Sequence, residues 1–149
     1  MNNLLNDPAI LRDIILDHYS YPRNKGLKTG DKYKEVHMAS ESCIDDITVQ
    51  SVIEDGVIKE INFDGIACTI STASTSMMTE LLIDKTIEEA KVIMDNYFSM
   101  LDGQAYDAEI LEEAVAMKNV YKQANRIKCA TIGWNAMKQI VLESESKDE

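Results

Sequence analysis

At 149 residues, with 45% hydrophobic and 28% charged residues, the chain is long enough to bury one sizeable core and leaves no room for a second domain. No apolar run approaches the roughly 18 residues that a membrane span needs, and Met1 to Asp17 has neither the basic start nor the apolar stretch of a signal peptide, so a cytoplasmic location is expected. A formal net charge of -11 repels phosphate backbones and anionic lipid surfaces, which argues against nucleic acid or membrane as partners.

Asp7 followed by Pro8 is a helix start, and Ile10, Leu11, Ile14, Ile15 and Tyr19 share one helical face, which predicts a first helix over about 8–20. Tyr21 to Gly26 then combines proline, glycine and polar residues and predicts a loop. The basic residues in and after it, Arg23, Lys25, Lys28, Lys32 and Lys34, are interrupted and read as a solvated face. Lys34 to Ala39 is a candidate strand. Ile47 to Ile53 is rich in β-branched residues and predicts another, and Val57, Ile61 and Phe63 predict one face of a third. Asp55-Gly56 between the last two is a hairpin signal.

After Gly65 the composition turns to Ser, Thr, Ala and Met, and Ala73, Met77 and Leu81 predict a helix over about 71–83, with Cys68 at the strand-to-helix junction. Thr86 and Glu89 have capping-box spacing and open a helix that ends near Gly103. Asp107 to Lys118 predicts an acidic helix. A last helix is expected from near Lys128, with Ile132, Ala136 and Ile140 on its apolar face and Cys129 in its first turn. The expected fold is a single α+β domain over 1–149: a small antiparallel sheet of about three strands, several helices over one face, and frayed ends at about 1–6 and 144–149.

The chemistry points to the three cysteines. An odd number of thiols far apart in sequence, with no C-x-x-C pair, suggests buried apolar residues or metal and catalytic groups rather than disulfides. Cys43, Cys68 and Cys129 all fall at predicted element ends, where side chains project; spacing alone leaves inert thiols and a converged site both open. Helix N-termini favour the thiolate, which is both metal ligand and nucleophile, so Cys68 and Cys129 are candidate thiolates. With Cys43 and a nearby carboxylate they would make the tetrahedral set Zn2+ prefers. Asp45 is two residues from Cys43; Asp46 is the alternative. The methionines at helical spacing and Trp134 read as core, and His18 and His37 are not at ligand-like positions.

Several separated segments then match a known pattern together: Asp17-His18-Tyr19, Pro22-Arg23-Asn24, Cys43 and Asp45, Phe63-Asp64-Gly65, Cys68-Thr69-Ile70-Ser71, Ala73 to Glu80, and Arg126-Ile127-Lys128-Cys129-Ala130. In order and spacing the chain resembles the SufU/IscU/NifU N-terminal iron-sulfur assembly family. It looks closest to the SufU branch, because about 60 residues separate Cys68 from Cys129 and Lys128 stands where the IscU branch has a histidine ligand. The resemblance implies a SufE/NifU-IscU-like fold and zinc on Cys43, Asp45, Cys68 and Cys129. It also implies acceptance of persulfide sulfur from a PLP-dependent, SufS-type cysteine desulfurase, in company with other iron-sulfur assembly proteins. Cys43 would be the mobile acceptor, released when a desulfurase histidine takes its place on the metal, and Arg126 would steer the partner or anionic sulfur. A [2Fe-2S] cluster built on the same ligands, or a structural zinc or docking module without transfer, are the alternatives. One departure from the pattern stands out: the usual Asn-Pro-x-Cys-Gly-Asp reads here Ser40-Glu41-Ser42-Cys43-Ile44-Asp45, so a β-branched residue replaces the flexible glycine and the loop is expected to swing less freely.

Overall fold

The computed structural model describes residues 7–39 and 44–147. The chain runs α1 (Pro8–Ser20), β1 (Lys34–Ala39), β2 (Asp46–Glu54), β3 (Val57–Ile66), α2 (Thr69–Leu82), α3 (Ile87–Leu101), α4 (Ala108–Leu111) and α5 (Ala124–Lys147). Two 3-10 helices, Glu112–Met117 and Val120–Lys122, join α4 to α5. This is the α+β architecture expected from the sequence, with an antiparallel sheet in the order β1-β2-β3.

Local signals set most boundaries. Asp7 caps α1 by accepting from the Ala9 N–H at 2.9 Å, with Pro8 in the first turn. Asp55 and Gly56 both have positive φ, 54° and 74°, as the tight turn joining β2 to β3 requires. Thr86 and Glu89 make the reciprocal capping box that starts α3. Within the hairpin the register shifts by one residue between Val52, opposite Glu60, and Ile53, opposite Ile58. Ile58 therefore joins Ile61 and Phe63 in the core while Val57, expected there from simple alternation, is half-buried.

Three expectations are corrected. The acidic helix expected over 107–118 stops at Leu111, and Glu112 takes φ 46°. The positive φ of Glu112 takes the chain out of the α-helical region, and Ala114, Val115, Ala116 and Met117 are buried in the 3-10 segment that follows. The last helix starts a turn before Lys128, at Ala124, because its exposed opening turn carries no apolar periodicity to announce it. At its other end, where fraying was expected from Ser144, it continues to Lys147; Ser144 is buried and Glu145 pairs with Lys91 at 2.9 Å.

The helices pack on one side of the sheet, α5 against β1 and β2, and α2 against β3 and α5. α2 is the central element, with buried side chains along nearly its whole length, among them Ser71, Thr72, Ser74, Thr75, Ser76 and Thr79. Its hydroxyls are satisfied locally: Thr75 Oγ1 donates to the Ser71 carbonyl at 2.8 Å and Thr79 Oγ1 to that of Ser76 at 2.7 Å. Small polar side chains let α5 come very close. A Cβ placed on Gly133 would lie 2.2 Å from Thr75 Oγ1 and 2.9 Å from Thr75 Cβ. Trp134, next along α5, donates its indole N–H to the Ser74 carbonyl at 3.1 Å and stacks on Tyr97 of α3, whose hydroxyl donates to the Ala130 carbonyl at 2.6 Å. Met77, Met78, Met94, Met100, Met117 and Met137 fill the core, as expected from their spacing.

The other side of the sheet carries a polar layer. Lys28 N–H donates to the Gln50 side-chain oxygen at 2.6 Å, and Glu60 accepts from Asn62 at 3.0 Å, from Lys28 Nζ at 2.6 Å and from the Tyr33 hydroxyl at 2.9 Å. Asn62, Lys28 and Tyr33, against the opposing effect of desolvation, bring the Glu60 carboxyl down to about 2. A depressed carboxylate contributes stability that is fully present above its ordinary value of 4.5 and is lost as pH falls toward about 2.

Two predictions follow from this packing. Gly133→Ala is expected to destabilise the chain by about 1–3 kcal/mol, and Thr75→Ala in the same chain to restore part of that, both read from urea midpoints. Urea midpoints measured at neutral pH and at steps below 4.5 are expected to fall less steeply in Glu60→Gln than in the parent; equal slopes would show that Glu60 does not anchor the polar layer.

Candidate metal centre

The end of the sheet where β2 begins meets the start of α2 and the second turn of α5, and Asp45, Cys68 and Cys129 converge there. One carboxylate oxygen and the two sulfurs all lie within 4.8 Å of one another. Asp45 and Cys129 are buried, at 1% and 5% exposure, and Cys68 is half-buried. These three side chains are thus largely enclosed by the fold.

Asp45 is positioned by hydrogen bonds from α2. Its Oδ1 accepts from the Cys68 N–H at 2.8 Å, and its Oδ2 accepts from the Ser71 hydroxyl and lies 3.9 Å from Cys68 Sγ. Cys68 is the N-cap of α2, its sulfur accepting from the Ser71 N–H at 3.5 Å. Ser71 was legible in the sequence only as part of a matching segment; the signal for its role is its place three residues after a capping residue. Gly65 fixes the other wall. With φ 140°, it packs so tightly on β2 that a Cβ would lie 2.0 Å from the Asp46 carbonyl oxygen and 3.0 Å from Ile47 Cα. Gly65 lets β3 close on the residues that follow Asp45.

Cys129 departs from expectation. Its helix begins five residues earlier, so it sits in the second turn, beyond the unsatisfied N–H groups of the helix start, and its thiol donates to the Asn125 carbonyl at 3.8 Å. Burial pushes the Cys129 thiol well above its ordinary pKa, and the neighbouring Cys68 and Asp45 add to the rise. Cys68 and Asp45 crowd the Cys129 thiol and oppose its ionisation. A divalent cation at this point would favour the thiolate instead, and two sulfurs with one carboxylate oxygen suit a borderline-soft ion such as Zn2+.

The remaining sequence candidates fall as follows. Cys43, expected as fourth ligand and acceptor, lies outside the described residues. Asp46, the alternative to Asp45, is exposed and bonds to His37 Nε2 at 2.6 Å. Arg126 is exposed on α5, three residues before Cys129 and so on the same side of the helix. Ile44, at the position of the pattern's glycine, is 68% exposed. His18 is not partly exposed but fully buried, with Nδ1 2.8 Å from Ser76 Oγ. Burial and Arg23 hold its imidazole below the ordinary pKa against the opposing pull of Glu113 and Glu80.

The family model described as the NifU-like N terminal domain matches residues 10–148. The chain belongs to the NifU-like N-terminal domain family. Within it, the chain is 36% identical over 138 residues to the zinc-dependent sulfurtransferase SufU of Bacillus subtilis, covering 92% of each protein. It is 37% identical over 132 residues to the iron-sulfur cluster assembly scaffold protein IscU of Streptococcus pyogenes, covering 88% of this chain and 82% of that one. A crystal structure from Fervidobacterium islandicum, described as an iron-sulfur cluster assembly scaffold of the SUF system, superposes with a TM-score of 0.76 at 28% identity over 85% of this chain and 92% of that one. Membership in the SufU/IscU/NifU family, inferred above from separated motifs, is thereby shown for nearly the whole chain, and with it a place in iron-sulfur cluster assembly.

In this NifU-like domain Gly65→Ala is expected to cost at least about 2 kcal/mol in urea unfolding, because the added Cβ meets the backbone of β2 rather than a flexible side chain. A variant that unfolds at the parent's urea midpoint would show that β3 does not depend on this close approach.

Proposed function

We propose that this chain is a zinc-binding acceptor of persulfide sulfur for iron-sulfur cluster assembly, loaded by a PLP-dependent cysteine desulfurase of the SufS type. The supporting observation is the convergence of Asp45, Cys68 and Cys129 into one buried donor set, with Cys43 two residues before Asp45 in sequence. In this reading Asp45, Cys68 and Cys129 hold the ion, and Cys43 is both the fourth ligand and the nucleophile. Zinc, when bound, keeps thiolates charged and fixes their geometry without redox chemistry of its own. The Cys43 thiolate attacks the outer sulfur of the desulfurase persulfide. A bond forms between Cys43 Sγ and that sulfur, the sulfur-sulfur bond of the donor breaks, and the desulfurase cysteine leaves as thiolate. Arg126, exposed on the side of α5 that carries Cys129, is the residue proposed to steer the partner or the anionic sulfur. The name of the Bacillus subtilis relative supports zinc and sulfur transfer.

A second reading has a specific support. The Streptococcus pyogenes relative, equally similar, is named a cluster assembly scaffold, and the same donors suit a [2Fe-2S] cluster as cargo. The two readings separate on metal content and desulfurase response. Chain purified without added metal is expected to carry one zinc and to accelerate alanine production by a SufS-type desulfurase, with the acquired persulfide mapped to Cys43. Cys43→Ser is expected to abolish acceptance while unfolding at the parent's urea midpoint. Iron and sulfide with no acceleration would establish the scaffold reading; zinc with no acceleration would leave a structural module, and normal acceptance by Cys43→Ser would remove Cys43 from its role.

A further inference from the structure

A second group of side chains able to ligate a cation gathers at the other end of α2. His18 of α1, Glu80 of α2 and Glu113 of the first 3-10 helix bring an imidazole nitrogen and two carboxylate oxygens within 4.8 Å of one another. His18 is fully buried, while the two glutamates are about half exposed, at 46% and 51%, so the buried imidazole looks out at a pair of carboxylates reached from solvent.

The distances decide between two meanings of this cluster. His18 Nε2 stands 3.7 Å from Glu80 Oε1 and 3.6 Å from Glu113 Oε1. Those separations are too long for an N–H to carboxylate hydrogen bond, which spans about 2.7–3.2 Å, and Nε2 is left buried without a hydrogen-bond partner. They are close to what an ion between the groups would impose, since bonds of about 2.0–2.2 Å at tetrahedral angles set donor atoms roughly 3.3–3.6 Å apart. The other ring nitrogen is already engaged. In the tautomer whose Nδ1–H donates to Ser76 Oγ, 2.8 Å away, Nε2 carries the lone pair that a cation would take. Ser76 Oγ is itself held by the Arg23 N–H at 2.8 Å, so the ring orientation is fixed by the fold.

We propose that His18, Glu80 and Glu113 form a second cation site, for a first-row divalent ion such as Zn2+ or Fe2+, distinct from the cysteine centre. One nitrogen and two carboxylate oxygens, with water in the open position toward solvent, are a harder donor set than the thiolate site and take a different range of ions. Ser76 lies eight residues along α2 from Cys68, roughly 12 Å by helical rise. Arg23 is the internal competitor: its Nε lies 3.5 Å from Glu80 Oε1, while its Nη2 keeps Asp17 at 2.7 Å. An arriving ion takes the Glu80 oxygen from Arg23 and leaves Arg23 on Asp17, and it ties α1, α2 and the 3-10 segment together.

The chain has only two histidines, His18 and His37, which makes the test direct. Full-length protein labelled with 15N-histidine is titrated with Zn2+ past the first equivalent, and the ring nitrogens are followed by NMR. The second equivalent is expected to move His18 Nε2 to the position of a metal-bound imidazole. Glu113→Gln and Glu80→Gln, changes at half-exposed positions, should weaken that step roughly tenfold or more, whereas Asp45→Asn should leave it in place. A His18 Nε2 that carries a directly bonded proton and does not respond to Zn2+ would overturn the proposal. A response confined to His37, which sits on Asp46 beside the cysteine centre, would overturn it as well.

Discussion

The buried carboxylate of Asp45 is the contact on which the site depends. A carboxylate at 1% exposure is costly unless its oxygens are satisfied, and here both are, by the Cys68 N–H and the Ser71 hydroxyl at the start of α2. The same two bonds join the first residue before β2 to the N-cap of the central helix, so the sheet and the helix layer are registered against each other at the point where the thiols converge. Gly65 completes the constraint from β3. Loss of the carboxylate would therefore act on architecture and on ligation together, and only a variant that keeps the hydrogen bonds while changing charge separates the two.

α2 explains how two cysteines from distant parts of the chain come within reach of each other. A central helix of large apolar residues would hold α5 at an ordinary helix-helix distance of about 8–10 Å. Instead α2 presents Ser74 and Thr75 to Gly133 and Trp134 of α5, and the hydroxyls bond inside their own helix rather than to the neighbour. The close approach brings Cys129, one turn before Gly133, toward Cys68. Trp134 then gives direction to that approach, since its indole N–H must reach the Ser74 carbonyl while its ring stacks on Tyr97. Small residues permit the contact and the tryptophan sets its position.

Legibility in the sequence followed the kind of signal involved. Caps, the Asp55-Gly56 turn and apolar periodicity are local, and α1, β1, the hairpin and α3 were readable from them. The break at Glu112 was not, because a glutamate takes positive φ there with no glycine, asparagine or proline in the sequence to mark it. The early start of α5 was hidden by an exposed first turn, and this moved Cys129 from a helix N-terminus to a buried second turn, changing the electrostatic reason for its behaviour. For the site, residue types left Asp45 and Asp46 both open and the family pattern favoured Asp45, the carboxylate that faces the sulfurs, but neither could supply Ser71 as its partner. That depends on which side chains the fold turns inward. His18 is the extreme case: a lone histidine on an amphipathic helix reads as packing until the glutamates of two other elements are seen around it.

The departure at Ile44 takes on a different meaning once its exposure is known. One reason for a glycine is that a side chain has no room, and Ile44, 68% exposed, has room for its own. Its effect falls on chain freedom, because a β-branched residue removes backbone and χ1 conformations that a glycine would sample. Under the proposed transfer, a stiffer residue next to Cys43 in sequence favours retention of the thiol over its release, so the balance between the two would be set beside the acceptor and not in the packed elements behind it.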